Sequence, residues 1–394
     1  MDFTHLHVHS HYSLMDGLCS PEELMLAAKN AGQSSMAITD HGTLASHRDL
    51  QVAAKKLGMK PILGLEAYIS ATDRFDKRDI KSRDDNTQVF NHITLLAKNN
   101  EGLKNLQKLS EIAWTEGYYR KPRIDLEILD EYGNDLIVLS GCMNGLIAKA
   151  IQNNNMEKAM EYARWFKNRF ADDFYLEVQS HNDKNVNDAT KEISLNLNIK
   201  MVAAGDCHYA TKSQKSLEEA LLILSTKPAQ ADGTSYESGK KYKDVFERFN
   251  HLYPNRPISF QDINVYIQSY DEIKSDFGVD WPESIYTNTN EIANKAYRAW
   301  SAYRQQLDKA APNGKADPAT VEKQLMAFVS KNLLAGQYLP SLINKDQIIG
   351  LVLLLITTKI FGLFLNFPIF ASNAFLPSKK TTSSPRSLTN LFTC

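Results

Sequence analysis

Cysteine is scarce in this chain. Its four residues, Cys19, Cys142, Cys207 and Cys394, show no Cys-x-x-Cys spacing and no dense framework. That excludes a disulfide scaffold, and a reducing compartment, the cytoplasm, is expected. An excess of either charge is missing too: 45 basic and 46 acidic side chains leave a formal net charge of −1. Nothing pulls the whole molecule toward nucleic acid or an anionic membrane, so any polyanion binding has to come from local basic clusters. The N-terminus has neither a basic start nor an apolar stretch, and no secretory signal is expected. One apolar run, 348–371, reaches the length of a membrane span. Lys359 and Asn366-Phe-Pro368 interrupt it, and no membrane anchor is expected.

What the sequence does have is histidine in a pattern. The stretch Phe3-Thr-His-Leu-His-Val-His-Ser-His-Tyr-Ser-Leu-Met-Asp-Gly17 reads as a short strand in which alternate residues share a face. His5, His7 and His9 then point the same way. Neutral imidazole is the commonest metal ligand, and two at i and i+2 form a pincer. A tag or a polar edge strand is the plainer reading. Here, however, the histidines alternate with Leu6 and Val8 and run into the turn residues Asp16-Gly17. A metal site follows, provided further ligands arrive from elsewhere.

Strand and helix signals alternate downstream, in a chain of 394 residues that can hold one large domain with an appendage or two domains. Ser20-Pro21-Glu22-Glu23 starts a helix that runs to Gly32, with a Ser cap, Pro at the first position and Glu at the third. Apolar strands follow at 35–39, 60–69, 91–97, 135–140, 174–179 and 200–204. Helices at 43–57, 144–169 and 186–197, another ending near Thr115, and a highly charged loop at 71–87 separate them. Counting the opening stretch, seven strands each followed by a helix or long loop argue for a parallel α/β sheet closed as a barrel. His7, His9, Asp40, His41, Glu66, Cys142, Asp206 and His208 lie at or just beyond strand C-terminal ends. In a (β/α) barrel those ends converge on one mouth. Beyond Tyr209 the pattern weakens to an apolar helix at 216–225, an irregular aromatic-rich stretch at 246–267 and a helical segment at 283–303.

Taken together, these motifs resemble the PHP (polymerase and histidinol phosphatase) family, and more closely the N-terminal PHP region of bacterial DNA polymerase III alpha subunits. The resemblance is carried by His5-Leu-His-Val-His-Ser-His-Tyr-Ser13 with Asp16-Gly17, Ile38-Thr-Asp-His-Gly42, and Lys60-Pro-Ile-Leu-Gly-Leu-Glu66. It continues through Asn91-His-Ile-Thr-Leu-Leu-Ala-Lys98, Tyr119-Arg-Lys-Pro-Arg-Ile-Asp125 and Leu139-Ser-Gly-Cys142. Tyr175-Leu-Glu-Val-Gln179 and Gly205-Asp-Cys-His-Tyr209 complete it. A looser echo reaches Asn290-Glu-Ile-Ala-Asn294.

The resemblance implies an α/β fold, a distorted (β/α)7 TIM-like barrel, with a mostly helical or irregular C-terminal extension. The metal-binding barrel would occupy 1–210 and the extension 211–300, followed by a helical segment at 301–346 and an apolar segment with a polar tail at 347–394. It also implies up to three metal ions held by His7, His9, Asp16, His41, Glu66, His92, Cys142, Asp206 and His208. Mixed imidazole, carboxylate and thiolate ligands suit Zn²⁺, with Mn²⁺ or Fe as alternatives. His5 and His11 fall outside that set and are read as groups behind the ligands, and Cys207 as facing the wall.

Asp206, His208, His9 and Glu66 are the expected catalytic residues. Arg120, Lys121 and Arg123, with Tyr118, Tyr119 and His181, are expected to meet substrate: phosphate on the cations, a terminal base on a tyrosine. The implied function is phosphoester hydrolysis, most concretely a 3′→5′ exonuclease acting on DNA 3′ ends or primer-template alongside other replisome subunits. Two alternatives stand beside it. One is a metal-stabilised structural module that supports a polymerase or docks a proofreading subunit. The other is a small-molecule phosphatase of the histidinol-phosphatase type. No Asp-x-Asp occurs in the chain, so a polymerase palm, and polymerisation, are not expected.

Overall fold

The computed structural model describes residues 3–78, 89–224, 242–254 and 259–296. All lie within one compact unit, Met1–Ala310. The expectations for 301–346, for the 347–394 tail and for most of the charged loop at 79–87 fall outside the described residues. Among the described residues, no helix is long and apolar enough to cross a membrane.

Local signals act where they are strongest. Helix α1 (Pro21–Asn30) begins with a reciprocal capping box between Ser20 and Glu23 and buries Leu24, Met25 and Ala28. Strand β1 (Ser35–Ile38) leads to α2 (His47–Leu57), which starts four residues later than expected. The Thr43 hydroxyl accepts from Ala45 N and the His47 amide bonds Leu44 O, so this segment is a turn. Strand β2 (Lys60–Ile69) and strand β3 (Asn91–Ala97) follow. Next come α3 (Asn100–Thr115), β4 (Arg123–Ile124), α4 (Leu126–Tyr132) and β5 (Leu136–Leu139). After α5 (Leu146–Gln152) and α6 (Met156–Phe170), β6 (Phe174–Val178), α7 (Lys184–Leu197) and β7 (Met201–Ala203) complete the strands.

The sheet order is β1-β2-β3-β5-β6-β7, with β4 on the side of β2. One strand departs from the expected parallel arrangement: β3 runs antiparallel to both β2 and β5. Residues 71–87 between β2 and β3 are highly charged and offer little apolar surface for a crossover helix to lay on the sheet, and an antiparallel strand needs none. The opening stretch closes the ring. Ala37 N and Thr39 N donate to His5 O and Val8 O on one side, while His9 N donates to Cys207 O on the other.

Residue 210 ends the sheet but not the compact unit. Helix α8 (Lys215–Ile223) and the segment around Val265–Gln268 continue from it, and His208 N donates to Val265 O. Two helices arise where an irregular or unassigned stretch was expected, α9 (Val245–Leu252) and α10 (Tyr270–Phe277). The second carries a Ser269–Glu272 capping box that is legible in the sequence. Residues 284–296, helix α11, place Ile292, Ala293 and Ala296 against Leu6, Ala37, Ile62, Ile137, Tyr175 and Val202. That packing plugs the barrel floor.

Arg123 ties the loops above β2 together. It is fully buried, and its guanidinium donates to Gly117 O, Asp76 O, Val89 O and Arg74 O at 2.7–3.2 Å. Replacing it with Met leaves these carbonyls short of donors, and a loss of about 3 kcal/mol is expected. Exposed Lys121→Ala should cost under about 0.5 kcal/mol. Equal denaturation midpoints for the two variants would contradict this.

Candidate metal centre

The inward-facing residues of each strand change from apolar at the floor to polar at the mouth. Along β2 the row is Ile62, Gly64, Glu66; along β6 it is Tyr175, Glu177, Gln179; past β7 it is Val202, Ala204, Asp206. Strand β3 reads in reverse, Leu96, Thr94, His92. Its antiparallel course is therefore what brings His92, near the start of its strand, to the mouth. In the opening stretch Leu6 faces the floor and Val8 the outer helices. A bend at His7 breaks the alternation, so His7 and His9 both turn inward.

His5 consequently does not stand behind the ligands. It is buried on the outer side, its Nε2 2.9 Å from Gln268 O and its Nδ1 3.3 Å from Cys207 Sγ. Burial lowers its pKa to about 4. His11 is exposed and packs on Tyr12. Cys207 faces the wall as expected, donating to Tyr266 O.

All nine candidate ligands meet in one network. Glu66 is its hub. Oε1 lies 3.3 Å from His7 Nε2 and 2.9 Å from His92 Nδ1, and Oε2 lies 3.3 Å from His9 Nε2 and 2.5 Å from His41 Nδ1. Asp206 Oδ1 is 3.4 Å from His7 Nε2 and 3.3 Å from His9 Nε2. Asp16 Oδ2 spans His41 Nε2 at 2.9 Å and His208 Nε2 at 3.4 Å. Cys142 Sγ sits 3.8 Å from Glu66 Oε1 and 3.6 Å from His92 Nδ1. Gly17 fixes the Asp16 turn, since a Cβ there would come within 2.1 Å of Ser10 O.

An outer layer aims these groups. The Nδ1 of His7 donates to Glu177 Oε1 at 2.7 Å, that of His9 to Ser13 Oγ at 3.0 Å, and that of His208 to the Asp206 carbonyl at 2.7 Å. Ser13 in turn donates to Asp40, which also takes the amide and hydroxyl of Ser10. Each Nε2 is thereby turned inward. Glu177 was not expected as a site residue. Its signal, a carboxylate inside an apolar strand at inward parity, is the one that marks Glu66.

Do these residues fit metal ions? His7 Nε2, His9 Nε2, His41 Nδ1, Asp16 Oδ2, Glu66 Oε2 and Asp206 Oδ1 are buried and have no hydrogen-bond partner. They approach one another without hydrogen-bond alignment, and three groups of them, His7–His9–Glu66, His9–Asp16–His208 and His41–Glu66–His92, converge tightly enough to share an ion. Orphaned buried polar atoms are costly, and a cation is the partner that five imidazoles, three carboxylates and a thiol call for. The donor set fits.

Electrostatics follow from the crowding. Burial alone would lower the imidazole pKa values. Glu66 and Asp16 nevertheless hold His41 up to about 10, and Asp16 and Asp206 hold His208 up to about 9. Burial raises a carboxyl, but the facing imidazoles hold Asp206 and Glu66 well below the usual range. Burial and the Glu66 charge push the Cys142 thiol up. Without ions, His41 and His208 stay protonated above their ordinary 6.5, so their stabilisation is complete below that pH and lost as pH rises through 9–10. The melting temperature of chelated protein is expected to fall between pH 6.5 and 10. Ion binding displaces these protons, so affinity should rise over the same interval and titration heats should depend on the buffer. A flat melting profile together with buffer-independent heats would contradict this.

The remaining candidates divide. Tyr118, Arg120 and Lys121 line a cavity of about 770 Å³ that opens beside His41, His92 and Asp16. Arg123 does not reach it; its donors are committed to the loop carbonyls, and that expectation is corrected. His181 lies apart from this cavity, its buried Nδ1 without a hydrogen-bond partner and its pKa lowered by burial despite the Asp206 charge. Tyr68, Phe90, Trp114 and Tyr12 also line the cavity, and none was expected. They come from four separate segments that only folding assembles.

Imidazoles and carboxylates gathered at one end of a curled, closed sheet define a class. Residues 5–181 match the model of the PHP domain, and the chain carries a PHP domain. Its curated relatives are more particular. The DNA polymerase III subunit alpha of Borreliella burgdorferi is 36% identical over 280 residues, 70% of this chain and 24% of that protein. The subunit alpha of Aquifex aeolicus is 40% identical over 230 residues, 57% of this chain and 20% of that protein. The chain thus spans a quarter or less of the length of these relatives. Among solved structures, one described provisionally as a metal-dependent phosphoesterase from Bifidobacterium adolescentis aligns over 52% of this chain and 88% of its own. The TM-score is 0.35 at 13% identity.

Proposed function

We propose that this domain is a metal-dependent phosphoesterase that hydrolyses phosphodiesters at DNA 3′ ends, a 3′→5′ exonuclease working in the cytoplasm in a replication setting. The observation that carries the reading is the set of unpartnered, buried ligand atoms opening onto a cavity with cations on its wall. The relatives named above supply the nucleic-acid context. His7, His9, Asp16, His41, Glu66, His92, Cys142, Asp206 and His208 would hold up to three ions, Zn²⁺ by donor type with Mn²⁺ or Fe as alternatives. When bound, such ions supply Lewis-acid polarisation of the phosphoryl group and a nucleophile at neutral pH.

The protein's own side chains do the rest. Glu66 and Asp206, each facing several imidazoles, fix the spacing of the centre, and His9 and His208 complete its reacting face. Lys121 and Arg120 meet the phosphate at the wall. His181, kept neutral by burial beside Asp206, offers its unpartnered Nδ1 as a hydrogen-bond acceptor near the centre. Tyr68, stacked on His41 with ring centroids 5.5 Å apart, covers that imidazole and limits water on one side.

A second reading has its own support. His7, His9 and Glu66 are almost wholly buried, as a purely stabilising metal centre would be. One comparison separates the two. With Mn²⁺ or Zn²⁺ restored to chelated protein, wild type should release nucleotides from a DNA 3′ end, and Asp206→Asn should lower that rate by at least about 100-fold. Metal-dependent melting with no hydrolysis would favour the stabilising module. Faster turnover of a small phosphomonoester than of DNA would favour the small-molecule phosphatase.

A further inference from the structure

Five tyrosine, phenylalanine and tryptophan side chains line the cavity, more aromatic surface than phosphate chemistry alone requires. We propose that Trp114 and Tyr118 form a stacking platform for unpaired nucleobases, so that the mouth accepts a single-stranded end in preference to a paired one. This rests on the nucleic-acid reading above and adds to it the form of the strand and the residues that hold its bases.

Exposure, stacking and anchoring support the platform. Trp114 and Tyr118 are about half exposed, at 52% and 49%. Their rings stack with centroids 5.5 Å apart and planes 18° apart. The indole is also anchored: Trp114 Nε1 donates to Gly42 O at 3.0 Å, one residue from His41. Gly42 itself is held tightly, at φ +62°, where a Cβ would come within 2.9 Å of Pro122. The platform is thus fixed relative to the candidate ligands before any substrate arrives, and little ordering entropy is left to lose.

In the same cavity, Leu14 and Met15, next to Asp16, expose apolar surface, 83% in the case of Leu14. Exposed apolar surface gathered at a concave site marks a binding surface. Finally, cations share the wall. Lys121 Nζ lies 5.1 Å from the Tyr68 ring centre, and Arg120 lines the same cavity.

Aromatic planes beside cations in one groove are the chemistry of single-stranded nucleic acid, where bases stack and phosphates pair. A duplex end offers bases already stacked and paired, so it could use the cations but not the planes. A free phosphate or a sugar phosphate would leave both planes idle. A peptide segment would gain from Leu14 and Met15 but has no need of a parallel aromatic pair beside two cations.

The test is equilibrium binding by the full chain in chelator, where hydrolysis cannot contribute. Fluorescence anisotropy would compare a labelled oligo(dT), a blunt duplex of equal length and an abasic deoxyribose-phosphate strand. The expected result is at least tenfold tighter binding of oligo(dT) than of either competitor. Trp114→Ala and Tyr118→Ala should each weaken oligo(dT) about tenfold and leave the abasic strand unchanged. Trp114→Phe keeps a plane but not the bond to Gly42 and should retain affinity within about threefold. Should Trp114→Ala fail to fold, Tyr118→Ala carries the same comparison. Equal affinity for duplex or abasic strand, or unchanged oligo(dT) binding by Tyr118→Ala, overturns the platform. Its failure is separable from that of the phosphoesterase reading. Base-dependent binding without metal-restored hydrolysis sinks only the latter, and hydrolysis indifferent to strand form and to Tyr118 sinks only the former.

Discussion

Closure of the ring by the opening stretch is the constraint on which the centre depends. Residues 5–9 are hydrogen-bonded to β1 on one side and to Cys207 on the other, and only there do His7 and His9 face Asp206 across 3.3–3.4 Å. These partners are about 200 residues apart in sequence, and the backbone bonds that join them are few. The barrel floor, plugged by α11, and the inward apolar residues supply the burial that holds the two together.

Putting so many ionisable groups in one buried space carries a cost that the fold distributes. Each inward imidazole whose orientation matters spends its other nitrogen on a fixed acceptor: Glu177 for His7, Ser13 for His9, the Asp206 carbonyl for His208. In the absence of cations the imidazoles and carboxylates balance one another, which is why His41 and His208 hold their protons so strongly. Protons and ions therefore compete for one set of atoms. The same arrangement explains the polarity gradient along the barrel, with the charged residues confined to the end that meets the cavity.

Much of this was legible from residue order. The Ser20–Glu23 cap, the strands at 35–38, 60–69 and 91–97, and carboxylates inside apolar runs are local signals whose causes lie within a few residues. Other features were not. The bend at His7 decouples His5 from its neighbours, and strict alternation could not reveal it. The antiparallel course of β3 goes with a charged connection that offers little apolar surface for a crossover helix. Arg123 looked like its neighbours Arg120 and Lys121; its burial comes from loops at 74–76 and 89 that fold over it.

The sequence by itself determined which residue types sit at strand ends, and its resemblance to the PHP family singled out nine groups of metal-binding type and the order in which they arrive. It did so because strand periodicity and helix capping are short-range effects, and because imidazole, carboxylate and thiol carry their chemistry wherever they are placed. Tertiary structure alone decided which of them face one another, which basic side chain is buried, and that Tyr12, Tyr68, Phe90, Trp114 and Tyr118 line one cavity. Those relations join segments far apart along the chain, and no local periodicity encodes a contact that exists only once the sheet has closed.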